Sequence, residues 1–293
     1  MTRYRIIGVA LILISSIAYG AMPIFARLAY ADGTSATTLL FMRFGLAALL
    51  LLAYMFASRT PFPRGKTLLG LVLLGVIGYV GQSLAYFLAI EMAPASLVAL
   101  LLYLSPVFVT AGAFLFLRER ITVVKIGALG LALAGAVLTV SAGSAMGNGN
   151  ASAIQMGIML GVLAALIGAV YTLAGSRVLR AVPTIPATTV IISSTAMVYT
   201  GISSAQGFSF PAHWTGYAAI AALATISTVF AIGAFLAGLQ RVGPANASTL
   251  AVLEPVASVA LAAVILGERL YPEQIFGGLL IAGAVVLISR NRE

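Results

Sequence analysis

The sequence predicts an all-α integral membrane protein: ten transmembrane helices in two inverted repeats of five, with both termini cytoplasmic. Three observations predict it. The 293-residue chain is 61% hydrophobic and 8% charged, with a mean hydropathy of +1.11. Soluble domains average about 25% charged residues, so this chain cannot cover a water-facing surface and must face lipid. Its apolar residues fall into ten runs, each near the ~20 residues a helix needs to cross the hydrocarbon. A stretch of the first half also reappears in the second without a gap.

The ten expected spans are Ile6–Leu28, Ala36–Phe56, Leu68–Ile90, Ala95–Phe116, Thr122–Ser141, Gln155–Leu179, Pro186–Ile202, Trp214–Leu239, Ala245–Leu266 and Glu273–Ser289. The first follows "MTRYR" and is too long for the core of a signal peptide; no polar mature domain follows it. Thr, Ser and Gly dilute the seventh. Most breaks are short and carry turn or charge signals, such as "SRTPFPRGK", "MGNGNAS" and "RVGPA". The expected organisation is a first repeat over 1–145, an external linker over 146–154 and a second repeat over 155–293.

The net charge is +9. On a soluble protein that would suggest nucleic acid, but the basic residues lie between apolar runs, not in one stripe, so no nucleic-acid partner is expected. With the N-terminus inside, the inner segments hold Arg3 and Arg5; Arg59, Arg64 and Lys66; Arg118, Arg120 and Lys125; Arg177 and Arg180; Arg241; Arg290 and Arg292. These are thirteen of the 16 Lys and Arg, which sets the orientation by the positive-inside rule. There is no cysteine and one histidine, His213. Disulfides, thiolate metal sites and HExxH chemistry are excluded, and neither a metal nor a cofactor is expected. His213, beside Trp214, reads as interfacial.

The repeat sets "AYFLAIEMAPASLVALLLYLSPVFVTAGAFLFLRER" (85–120) over "AFLAGLQRVGPANASTLAVLEPVASVALAAVILGER" (234–269), at an offset of 149. Pro106 meets Pro255, Glu119 meets Glu268 and Arg120 meets Arg269. Five spans per half force the second half to enter the membrane upside down. The charges agree, since "RERITVVK" loses positive charge in its counterpart "GERLYPEQ". Inverted repeats around a midplane site are a common transporter architecture, although channels are also built from repeats. Two five-helix halves with Glu-Arg corners resemble the drug/metabolite transporter superfamily. "RFGLAALLL" and "LEPVASVALAAVILGERL" resemble its EamA-type domain, and within the family the chain is similar to YddG-type amino acid exporters. Where a Gly-Glu pair is usual, the first half has "LRER".

Glu254 lies nine residues into the ninth span, about 14 Å deep at ~1.5 Å per residue, near the middle of a ~30 Å core. A carboxylate there should face a partner or a water-filled cavity. It could bind a substrate amine, carry a proton or pair with Arg43; structurally, it could be protonated and donate to a backbone carbonyl freed by Pro255. Pro106 and Pro255 each remove one helical hydrogen bond and permit bending, so they are candidate hinges, or static packing kinks. On the third span Tyr79, Gln82, Ser83 and Tyr86 are spaced i, i+3, i+4, i+7 and share one face. Tyr103 and Thr110 share a face with Pro106, and Tyr171 lies on the sixth span, the counterpart in the repeat pattern of the first span with its Tyr19. Such a lumen suits an organic solute with apolar surface. Arg43 could meet a substrate carboxylate or snorkel outward and hold the fold; the resemblance places an arginine here often. Tyr30, Tyr271 and Trp214 read as interfacial anchors. Gly127, Ala128, Ala132, Gly135, Ala136, Gly277, Gly278 and Gly283 make small-residue faces that pair two helices of one chain or make a homodimer.

The function these features imply is a secondary transporter of the inner membrane that exports small organic solutes, amino acids including aromatic ones. A broader drug, metabolite or nucleoside exporter is the alternative. An intramembrane enzyme fits less well, since Glu254 has no obvious His or second acidic partner; a channel, the other rival, should conduct without saturating. No "GxxxxGK[ST]" is present, so energy must come from a gradient.

Overall fold

The computed structural model describes residues 3–93, 98, 101–119, 121–141, 151–266 and 271–290. Every regular element among them is helical. In the first half α1 (Arg3–Gly20) breaks at Ala21 into α2 (Met22–Ala31), where Pro23 has no N–H for the carbonyl of Tyr19. α3 (Ala36–Ala57) is capped by Ser35, whose hydroxyl accepts from the Thr38 amide at 3.3 Å. α4 (Gly65–Leu73) and α5 (Val80–Met92) are joined by a π-turn at Leu74–Tyr79. α6 (Ser105–Leu117) and α7 (Val123–Ser141) follow.

The second half is helical too. It comprises α8 (Ala151–Val178), α9 (Thr184–Gln206), α10 (Trp214–Ala224), a second π-turn at Thr225–Phe230, α11 (Ala231–Val242), α12 (Pro244–Ala251), α13 (Glu254–Leu266) and α14 (Pro272–Arg290). Seven stretches among the described residues are long and apolar enough to cross a membrane, and three shorter apolar helices accompany them: Ser105–Leu117, Val123–Leu138 and Pro272–Ile288. Large apolar side chains point outward, among them Leu49, Met197 and Val264, as a lipid-facing surface requires.

The structure refines the expected spans at several points. The diluted seventh span is in fact a full helix, Thr184–Gln206, and the most buried of the seven long stretches. Its hydroxyls bond back along the helix, Thr188 to Thr184 O at 2.8 Å and Thr195 to Ile191 O at 2.9 Å. A helix packed against protein has no need of uniformly apolar residues. The fourth and ninth spans are broken, not bent: a turn at Tyr103–Leu104 precedes α6, and one at Val252–Leu253 precedes α13. Each proline then sits in the first turn of a new helix, where its missing N–H is not needed. Of the expected linker, 146–150, including Asn148, lie outside the described residues, and 151–154 are helical. Arg120 and residues 267–270 of the Glu-Arg corners also lie outside them.

Close approach of small residues orders the bundle. α7 packs on α14, with Ala128, Ala132 and Ala136 fully buried. A Cβ on Gly135 would stand 2.5 Å from the Gly277 carbonyl oxygen. This small-residue seam therefore pairs two helices within the chain, although Gly127 and Gly283 face open space. α1 packs on α11, and α5 on α8. One contact recurs in both: Gly8 meets Val242 and Gly157 meets Ala93, positions related by an offset of 149.

Candidate functional site

Both broken helices and both halves converge on one cavity of about 320 Å³. All eight binding residues expected from sequence line it: Arg43, Tyr79, Gln82, Ser83, Tyr86, Tyr103, Tyr171 and Glu254. Pro106 lines it too, while Pro255 is buried in the first turn of α13 behind Glu254. The face predicted from spacing on the third span survives the π-turn, which ends at Tyr79. Ser83 ties its hydroxyl to the Tyr79 carbonyl at 2.8 Å. Gln82 fits because Gly168 on α8 has no side chain; a Cβ there would lie 2.7 Å from the Gln82 amide nitrogen.

Aromatic rings form one wall. Tyr79 meets Tyr171 edge-on at 5.8 Å and Phe44 edge-on at 5.5 Å, and Phe44 stacks on Tyr199 at 5.6 Å. Such ring pairs fix one another's orientation. The Tyr171 hydroxyl is buried with no hydrogen-bond partner among the described residues. A buried hydroxyl in that condition is a donor available to a ligand.

Arg43 does not snorkel. It is 5% exposed, donates from Nε to Thr228 Oγ1 at 2.6 Å and from Nη2 to the Ser227 carbonyl at 3.3 Å, and lies 4.8 Å from the Phe44 ring centroid. Ser227 and Thr228 belong to the second π-turn, so Arg43 braces an irregular piece of backbone. The Ser227 hydroxyl reaches Ala18 O at 2.6 Å and ties the same turn to α1. The first π-turn is braced from α9, where Thr195 donates to Gly75 O at 3.2 Å. Glu254 makes neither a hydrogen bond nor an ion pair among the described residues, so neither the Arg43 pair nor donation to a freed carbonyl is formed. Its carboxylate stands at the cavity wall.

Sequence reasoning missed several lining residues, including Ser15, Ser16, Gly168 and Phe235. The repeat offset could have found two of them, since lining positions recur in pairs 149 apart. Tyr19 pairs with Gly168, Met22 with Tyr171, Tyr86 with Phe235, Leu102 with Ala251, Tyr103 with Val252, and Ser105 with Glu254. The bracing of Arg43 by a π-turn carries no sequence signal.

Two further features lie away from this cavity. A cleft of about 600 Å³ opens near Glu119, Arg180, Gln240 and Gly243. The Gln240 amide is engaged there, donating to the carbonyls of Leu179 and Val182 and accepting from Thr184. His213 caps the loop before α10. Its amide donates to Asp32 at 2.8 Å and its ring nitrogen meets the other Asp32 oxygen at 2.5 Å. These bonds from His213 hold the Asp32 carboxyl below its ordinary range. Trp214, Tyr271 and Tyr30 are exposed at helix ends, as anchors would be.

The profile of the EamA-like transporter family matches residues 6–141 and again 155–290. The chain is 26% identical to the "Uncharacterized inner membrane transporter YicL" of Salmonella typhimurium, covering 96% of this chain and 95% of the relative. It is 28% identical to the "Uncharacterized transporter YcbK" of Bacillus subtilis, over 92% and 88% of the two chains. A solved crystal structure, 21% identical, superposes with a TM-score of 0.82 over 96% of this chain and 95% of its own.

Proposed function

Because the chain belongs to the EamA-like transporter family, we propose that it is a secondary transporter exporting small organic solutes, amino acids including aromatic ones, across the inner membrane. The proposed architecture is ten spans in two inverted repeats with both termini cytoplasmic, working by alternating access around the cavity. Support comes from the two family matches, from the distribution of Lys and Arg, and from the relatives named as inner-membrane transporters.

The observation that carries the reading is the paired lining of the cavity. Six positions from each half, 149 residues apart, meet around one space. A site on the axis between two repeats is reached from either side when one repeat rocks against the other. The broken helices suit this, because a two-residue turn beside the cavity lets each half-helix move without breaking a continuous ladder. The wall suits an organic solute: aromatic surface, an amide, hydroxyls, and one charge of each sign. Counterflow in proteoliposomes, across a panel of amino acids, nucleosides and organic cations, tests it. Saturable flux accelerated by internal substrate supports a transporter. Flux that rises linearly with concentration and shows no counterflow would sink the alternating-access reading in favour of a channel.

A further inference from the structure

The cavity's two charges are not equally free. Arg43 has two of its three nitrogens bonded to the second π-turn and its guanidinium against the Phe44 ring. It holds backbone in place. Glu254 makes no hydrogen bond or ion pair among the described residues and stands at the wall of the cavity. An ionised carboxylate in an apolar space is costly unless something compensates it, and Arg43, though within electrostatic reach, makes no ion pair or hydrogen bond with it among the described residues.

What surrounds Glu254 fits a cation. Tyr19, Tyr86 and Tyr103 line the same space within electrostatic reach of its carboxylate. Tyr79 and Tyr171 complete the wall. Ring faces attract ammonium groups. The break before α13 adds an oxygen: Pro255 has no N–H to give the carbonyl of Ala251, and Ala251 lines the cavity at the negative end of α12. We propose that the cavity selects its substrate by a cationic amine, held by Glu254 within a cage of tyrosines, and does not require a substrate carboxylate.

This rests on reading the cavity as the transport site, and it separates the two ends of an amino acid. Phenylalanine carries both charged groups, phenethylamine only the amine, and N-acetylphenylalanine only the carboxylate. Titration calorimetry of the purified full chain with each compound reads binding without transport. Phenethylamine is expected to bind within about threefold of phenylalanine, and N-acetylphenylalanine at least about tenfold more weakly, the scale of one charge-assisted contact. Glu254→Gln, eluting as folded protein, should weaken phenethylamine by about tenfold or more. The reverse ranking, equal phenethylamine binding in Glu254→Gln, or no phenethylamine binding at all overturns the proposal. The same compounds in counterflow keep the two readings apart. Phenethylamine that binds and exchanges while phenylalanine does not leaves the amine selection standing and removes amino acids as the cargo. Phenethylamine that binds at Glu254 while nothing exchanges removes the transport reading of the cavity.

Discussion

Thr228→Val isolates what Arg43 does, because Thr228 lies outside the cavity lining yet is Arg43's nearest partner. Valine keeps the shape of threonine and removes the hydroxyl, which accepts from Arg43 Nε at 2.6 Å and donates to Leu223 O at 2.8 Å. Both groups are buried, Thr228 at 0% exposure and Arg43 at 5%. Nε would keep its charge and lose its acceptor. A hydrogen bond to a charged group contributes about 1.5–3 kcal/mol, and an orphaned buried donor costs on that scale. For a chain of this size, 2 kcal/mol corresponds to a melting-point fall of roughly 4–8 °C. Thermal stability of the detergent-purified protein, followed by size-exclusion recovery, reads this directly. A cycle with Arg43→Met separates the pair from each residue's own burial, with an expected coupling of about 1.5–3 kcal/mol. An unchanged melting point, together with weakened binding confined to carboxylate-bearing ligands, would refute the bracing role and make Arg43 a substrate ligand.

Three further outcomes are expected. Gly135→Val should loosen the α7–α14 seam by about 1–3 kcal/mol, since its Cβ would stand 2.5 Å from a backbone oxygen that cannot rotate away; a wild-type melting point would show that the two helices slide freely. The bonds from His213 lower the Asp32 pKa, so their contribution is present above the ordinary Asp value and is lost as pH falls through the lowered one. Hydrogen exchange at residues 207–213 should therefore quicken only in acid below the usual carboxylate range, and Asp32→Asn should make it fast at every pH; a pH-independent wild-type rate would contradict this. The chain has no cysteine, so single cysteines report topology cleanly. In intact cells Gln206→Cys should react with an impermeant thiol reagent and Ser58→Cys should not, and the opposite pattern would invert the proposed orientation.

The cavity was legible in sequence wherever polarity conflicted with lipid. Gln82 and three flanking residues on one face could only point inward, and Glu254 could only stand at a cavity or a partner. These are arguments from the cost of polar groups in hydrocarbon, and they do not depend on knowing the neighbours. The seventh span was harder to read for the same reason turned round. Its Thr and Ser residues satisfy themselves on their own helix, so hydropathy recorded dilution where the structure has burial. The π-turns were not legible at all. Nothing in "LGVIGY" or "TISTVF" differs from an ordinary apolar helix. What sustains them is a bond from elsewhere, Thr195 to Gly75 O in one and Arg43 with Ser227 in the other.

The pairing of Glu254 with Pro255 also has a physical reason that a bend alone does not supply. In a bent helix the carboxylate would sit on a continuous ladder, with its charge far from either end. In the broken span it opens α13, where backbone amides are unpaired and the dipole favours an anion. The proline behind it needs no N–H in that turn, and the carbonyl it leaves without a donor belongs to Ala251 on the preceding half-helix. One break therefore places an acid and a freed carbonyl at the same wall. The first half makes the same break at Ser105–Pro106 with a neutral residue. Ser105 and Glu254 each open a helix 149 residues apart, and only the second carries a charge. Under the proposed inverted-repeat architecture the acid therefore stands on one side of the cavity only, and the cationic solute proposed above would take a single preferred orientation within it.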